Sequence, residues 1–430
     1  MKQADERAKD PLGWCVALAV LFALLAGWHL AIPTKMYFDE VHYVPAARSL
    51  QALGLANAEH PLVGKELIAA GIRLFGDRPL GWRLPSALIG TLGLFAFGRA
   101  LWWASLRRFA AIAGMILLAS DFLWFVQSRI AMLDMAMAGF AMIALWQVAA
   151  AARRAEQARW RLAIAGVSLG LALGAKWSVA PVLGALVVAL SGVRVLRQAP
   201  WRETAAGGAL RHPPPFPALS LTEVLFWLTS VPLAIYWLTF LPAFFYRPQP
   251  LSPLMFLAWH HTMFALQASV RTHHPYQSVW YQWIVNWRAI WYLYENTDGA
   301  WRGIVLIGNP FTMLAGLPAI LWCLWAGWRG RADAAMAAAL FFASLALWLI
   351  AAKPVQFYYH YLLPSSFLMA ALALALDRLW QRADLIRWLA PAALALSLAL
   401  FGWFYPILAA APLHAGRSSF EHWMWLKSWR

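Results

Sequence analysis

Two adjacent carboxylates, Asp39 and Glu40, with His42 just beyond, stand where a long apolar run ends. The chain holds only 19 acidic residues among 430, so an acidic pair at the mouth of a hydrophobic segment asks for a reason. A positioned carboxylate can take the proton of a poor nucleophile such as a hydroxyl. Adjacent residues on a helix point about 100° apart, so the two acids are not a clamped pair. The spacing assigns one to a reaction centre and the other to orienting a partner. The blander alternative is a solvated acidic pair at a membrane interface. Against it stands the rule that ionisable groups at membrane depth are by default functional.

Other chemistry-bearing residues are sparse and scattered. His60-Pro61 and Lys65 share the segment that follows Asp39. Arg83 opens an apolar run, and Arg129 and Asp134 flank a short polar break. Lys176 interrupts an apolar block, which places it against a cavity. Lys353 and His360 bracket a break that also holds Tyr358 and Tyr359. A guanidinium fork suits phosphate oxygens, so Arg83 and Arg129 read either as phosphate ligands or as ion-pair partners of Asp39, Asp77 or Asp134. Asp134 also suits a helix N-terminus, and Lys65 suits snorkelling to the interface. The doublets His260-His261 and His273-His274 lack the spacing of a zinc motif. No glycine-rich phosphate loop or dinucleotide fingerprint occurs, so a reaction here must draw on energy already stored in its substrate.

The elements that carry these residues are membrane spans. The chain is 62% hydrophobic and 13% charged, against about half and a quarter in soluble domains. Apolar runs of about 20 residues recur throughout. The fold class is all-α and polytopic, with spans near 14–33, 82–104, 109–125, 135–152, two short ones within 162–193, then 221–243, 303–326, 334–351, 361–376 and 388–408: about eleven. The first run is too long for a signal-peptide core and reads as a retained span. Helical spacing over 43–53 and 62–75 predicts interfacial helices in the first long loop. Residues 1–13, 105–108, 153–161, 194–218, 327–333 and 377–387 are short, basic and on one side, which is cytoplasmic by the positive-inside rule. Asp39, Glu40, Glu59, Glu66, Asp77, Asp134, Glu295 and Asp298, most of the histidines and the mid-sequence aromatic clusters fall on the other side. The net charge of +16 therefore serves topology and lipid headgroups, not nucleic acid. Cys15 and Cys323 lie in apolar runs and imply neither a disulfide framework nor a thiolate metal site. The chain divides into an N-terminal membrane module (1–243) with a catalytic loop at 34–81, an external loop (244–302), and a C-terminal membrane region (303–430) ending in a polar tail.

Several motifs, in order, resemble the protein O-mannosyltransferase family, a branch of the GT-C membrane glycosyltransferases. They are Phe38-Asp39-Glu40-Val41-His42, His60-Pro61-Leu62 with Lys65, Arg83-Leu84-Pro85-Ser86, Gln127 through Asp134, Gly170 through Ser178, His274-Pro275-Tyr276, the Trp280 to Tyr294 stretch, Gly308-Asn309-Pro310 and Tyr359 through Pro364. His60-Pro61-Leu62 departs from the family's usual double proline. The resemblance implies an inverting transfer of a sugar, typically mannose, from a polyprenyl-phosphate donor to Ser or Thr hydroxyls of exported proteins. The 244–301 loop is too short for the β-trefoil domain of eukaryotic members, so the chain is similar to a compact bacterial member. Asp39 is then the base, with Glu40 as its catalytic neighbour in an orienting or acceptor-binding role. Arg83, Arg129, Lys65 and Lys176 are the expected ligands of the donor phosphate, and His60, Asp134, Lys353 and His360 support them. The leaving group needs no nucleotide or metal, and the sequence leaves a divalent metal open. A same-fold transferase with a lipid or lipid A-like acceptor is the alternative. A transporter or flippase fits less well, because polar residues gather on one face and no internal repeat is evident.

Overall fold

The computed structural model describes residues 10–55, 57–198, 215–269, 272–351 and 353–430. Much of the basic, proline-rich connection expected at 194–218, and residues 1–9, lie outside them. Among the described residues, eight helices are long and apolar enough to cross a bilayer: Pro79–Ser105, Leu133–Ala151, Trp177–Arg194, Leu221–Phe245, Pro310–Trp328, Ala332–Ile350, Tyr358–Trp380 and Leu385–Leu408. Leu12–Gly27 and Arg108–Ala119 are shorter apolar helices, and Ala158–Ala175 completes the set. The 162–193 block does form two helices. They part at Lys176, whose backbone is extended (φ −161°, ψ 135°).

Pro79–Ser105 packs on Leu133–Ala151, which packs on Ala158–Ala175. The first of these crossings depends on glycine. A methyl on Gly93 would meet Gly139 Cα at 2.9 Å, and one on Gly139 would meet Ile89 O at 2.9 Å. Helices in lipid gain little from hydrophobic association, so close backbone approach supplies the dispersion that holds them. Pro310–Trp328, Ala332–Ile350 and Leu362–Trp380 form a second cluster, and Leu362–Trp380 packs on Arg108–Ala119, joining the halves.

The two ends of the bundle differ in chemistry. At one end Arg153 donates to Trp103 O and Ala104 O, Arg159 pairs with Glu223 at 2.7 Å, and Arg107 approaches Asp377 at 4.0 Å. At the other, Thr34 donates to Asp298, Lys35 pairs with Glu295 and Lys176 with Asp134. There the first long loop folds into the expected helices, Glu40–Gln51 and Val63–Phe75. The second buries Val63, Lys65, Ile68, Ala69 and Ile72 and exposes Leu74 and Phe75, as an interfacial helix does.

Four boundaries depart from expectation. The first helix stops at Gly27, well short of Pro33. The span expected over 109–125 breaks after Ala119, because Asp121 accepts from Leu123 N (3.3 Å) and caps a new helix, Phe122–Gln127. The span expected from 303 starts at Pro310, since Ile290–Thr297 and Ala300–Leu306 form an antiparallel hairpin that crosses the 302/303 line. Thr297 pairs with Ala300, so Asp298-Gly299 is a two-residue turn, both residues at positive φ (50° and 75°). The C-terminal residues, expected as a polar tail, pack onto this hairpin. Trp429 is buried and donates to Asn286 O at 2.9 Å, and Trp291 donates to Trp429 O at 2.9 Å.

Candidate active site

Where the first helix ends, its last carbonyls lack helical partners. Two arginines take them and their neighbours. Arg129 Nη1 donates to Ala26 O (2.6 Å) and Trp28 O (2.7 Å), and Nη2 to His29 O (3.4 Å) and Ala409 O (3.5 Å). Arg83 Nη1 donates to Leu30 O and Pro33 O, and Nη2 to Lys35 O. The rest of the Arg83 fork grips Glu40, Nε to Oε1 at 2.8 Å and Nη2 to Oε2 at 2.9 Å. That uses all five guanidinium donors, and both side chains are 0% exposed. Glu40 also accepts from Tyr37 N and Ala131 N. Arg83 and Arg129 are therefore committed to carbonyls and to Glu40, not offered to a phosphate as the sequence reading expected. Glu40 is likewise sealed. It anchors the first loop and has no lone pair left for a reacting atom.

Asp39 is built the other way. Phe38 sits in the left-handed region (φ +49°), a strained place for a bulky residue. Its ring stacks on Tyr292 (centroids 4.0 Å apart, 16° between planes) and meets Tyr359 edge-on at 6.1 Å. This cusp sends Glu40 inward and leaves Asp39 half-buried at the head of Glu40–Gln51. No side-chain cap or ion pair holds the Asp39 carboxyl among the described residues. Burial pushes it up to about 6, while Lys176, His42 and Lys353 pull it down and Asp134 adds to the rise.

The cations sort into held and open. Lys176 Nζ lies 2.8 Å from both Asp134 oxygens and 4.9 Å from the Tyr359 ring centroid. Asp134 thus holds Lys176 by both carboxylate oxygens. Lys65, expected on the phosphate, is buried and clasps Asn57 O (2.7 Å) and His60 O (2.8 Å), and burial lowers it to about 7. It fixes the loop instead. His60 is kept below the usual histidine range by burial and then by Lys176, Lys353 and Lys65, which leaves it neutral. Lys353 is partly exposed and has no ion-pair partner among the described residues; burial first, then Lys176, lowers it to about 8. His360 is buried in the turn that follows Lys353.

Asp39, His60, Lys176 and Lys353 thus converge from four separate segments. Lys353, placed among the supporting residues, is the cation left open at this site among the described residues. Phe38 and Tyr292, given no role in the sequence reading, set the cusp. The histidine doublets are used elsewhere: His260 bonds Tyr236 OH (2.5 Å) and Phe256 O (2.7 Å), and His274 Nδ1 accepts from Tyr276 N (3.2 Å). Among the described residues no three His, Cys, Asp or Glu side chains gather to hold a metal. The arrangement offers an unpaired carboxylate near cations, suited to activating a hydroxyl against a substrate with an anionic leaving group.

Comparison with known proteins gives these features relatives. Residues 80–246 match the family model for dolichyl-phosphate-mannose-protein mannosyltransferase, and residues 254–429 that for the C-terminal four-TMM region of protein O-mannosyltransferase. A polyprenol-phosphate-mannose–protein mannosyltransferase of Mycolicibacterium smegmatis is 28% identical over 97% of this chain and 93% of its own. One from Corynebacterium glutamicum is 28% identical over 91% and 88%. The fold matches the S. cerevisiae protein O-mannosyltransferase Pmt1-Pmt2 complex bound to the sugar donor (TM-score 0.80, 15% identity, 97% of this chain and 92% of that one). It also matches ArnT from Cupriavidus metallidurans bound to undecaprenyl phosphate (TM-score 0.61, 16% identity, 92% and 76%).

Proposed function

The chain belongs to the protein O-mannosyltransferase family of GT-C membrane glycosyltransferases, and from that premise we propose that it moves mannose from a polyprenyl-phosphate carrier to Ser or Thr hydroxyls of exported proteins. The observation that carries the mechanism is the Asp39 carboxyl, unpartnered, raised to about 6 and set among cations. Asp39 takes the hydroxyl proton while the acceptor oxygen bonds to sugar C1 from the face opposite the phosphate. The bond from C1 to the phosphate oxygen breaks, its electron pair stays on the lipid phosphate, and the anomeric centre inverts. Lys353 and the Asp134-held Lys176 meet the charge that builds on that phosphate. Glu40, Arg83, Arg129 and Lys65 act by holding the first loop in place. The basic connections gathered at the opposite end of the bundle support a site on the non-cytoplasmic face of a bacterial inner membrane, with a cytoplasmic N-terminus.

The test uses purified protein in lipid nanodiscs with polyprenyl-phosphate mannose and a Ser/Thr-containing peptide, with the products read by mass spectrometry. Wild type is expected to mannosylate the peptide, and Asp39→Asn to bind donor without turnover. An untouched peptide with a mannosylated lipid would reassign the acceptor. Full activity in Asp39→Asn would move the base elsewhere.

A further inference from the structure

His360 has one ring nitrogen in use and one idle. It lies in the turn Tyr358–Tyr361, at the head of a span. Phe357 N–H donates to its Nδ1 at 3.0 Å. A ring nitrogen that accepts carries no proton, so the neutral ring bears its hydrogen on Nε2. That Nε2 is buried without a hydrogen-bond partner among the described residues, and the whole side chain is only 4% exposed. Buried donors in folded proteins are almost always satisfied, so an idle one calls for a partner that binds.

The ring is held where it stands. Trp348 lies against it (centroids 3.9 Å apart, 34° between planes), with Tyr359 at 4.5 Å and Trp283 at 6.0 Å. The Tyr359 ring beside it has Lys176 Nζ 4.9 Å from its centroid and meets Phe38 edge-on at 6.1 Å, so His360 borders the site, and among charged groups Lys353 acts on it most strongly. A fixed neutral N–H near two ammonium groups adds a directional bond without adding like-charge repulsion, which suits an anionic oxygen shared with those cations.

We propose that His360 Nε2–H donates a hydrogen bond to a non-bridging phosphate oxygen of the lipid donor, alongside Lys353. The inference rests on the glycosyltransferase reading and deepens it, assigning His360 to phosphate recognition and not to holding neighbouring side chains.

Two variants separate recognition from structure. In His360→Gln, Oε1 can still accept from Phe357 N–H, and the amide still donates. In His360→Phe, the ring can still pack on Trp348, but the donor is gone. Wild type and each variant are titrated in nanodiscs with polyprenyl phosphate carrying no sugar and, separately, with polyprenyl-phosphate mannose, with thermal melting as a control. The expected result is affinity about tenfold to hundredfold weaker for His360→Phe, within a fewfold of wild type for His360→Gln, with donor KM raised and acceptor KM unchanged. Wild-type affinity in both variants overturns the proposal. So does equal weakening of both with a lowered Tm, and so does a His360→Phe defect confined to the mannosylated lipid, which would put the bond on the sugar. If wild type itself binds neither lipid, the glycosyltransferase reading fails, independently of His360.

Discussion

Within one residue the chain passes from a carboxylate that accepts from four donors to one that accepts from none. Glu40 takes two N–H groups of Arg83 and the backbone N–H groups of Tyr37 and Ala131. Asp39 has no such partner and is pushed up by burial. The same contrast divides the cations: Arg83, Arg129 and Lys65 are saturated or clasped by carbonyls, while Lys353 stays open. A satisfied charge stabilises and positions, whereas an unsatisfied one destabilises and is available to a substrate. The site is the second kind held in place by the first, a usual trade of stability for function.

The largest effect that would break this contrast is on turnover. Asp39→Asn should lower kcat on the order of 10²–10⁴-fold in the nanodisc transfer assay. Glu40→Gln should instead act through folding, with its loss of activity tracking loss of the folded fraction. If the two variants lose activity alike in fully folded protein, the division of labour is wrong. Next in size, Arg83→Met leaves Glu40 buried without its cation and should destabilise the fold by about 3–5 kcal/mol, seen as a drop in Tm by scanning fluorimetry. A folded, normally melting Arg83→Met that fails only to bind polyprenyl phosphate would return Arg83 to the phosphate. Lys353→Met should reduce kcat by about 10²-fold with little change in Tm. The wild-type rate should rise with pH through about 6 as Asp39 ionises and fall above about 8 as Lys353 loses its proton. Lys353→Met keeps the acid limb and loses the alkaline one.

The smallest effect concerns stability and has a fixed sign. Asp39 has a folded pKa above its unfolded one, so its ionisation favours the unfolded chain as pH rises from about 4 through about 6. Asp39→Asn should therefore melt higher than wild type at pH 8, by roughly 1–3 kcal/mol, and no differently below pH 4. A variant less stable at pH 8 would mean that Asp39 has a partner.

Much of this was legible in the sequence. Apolar runs near bilayer thickness announce the spans, arginine bias sorts the connections, and the Asp39-Glu40 pair at the end of an apolar run, Lys176 inside an apolar block and Lys353 in a short break stand out as candidates. Arg83 and Arg129 misled for a physical reason. The fork that suits a phosphate suits carbonyls equally well, and nothing in the sequence says that the first helix ends at Gly27 and leaves carbonyls to cap. The hairpin does carry a signal in the sequence, for Asp298-Gly299 between apolar, β-prone runs marks a tight turn. The Phe38 cusp was not readable, because its left-handed backbone is held by a stack with Tyr292 that only the tertiary fold creates.

That stack has a consequence for biosynthesis. Tyr292 leaves the ribosome roughly 250 residues after Phe38. At about 5–20 residues per second, the turn carrying the base waits on the order of tens of seconds for the ring that steadies it. A half-made chain threaded into the membrane would then carry Asp39 without its working posture. On the proposed mechanism, activity would begin only once the second half arrives, and a product truncated before Tyr292 would be inert even with every residue of the first loop present.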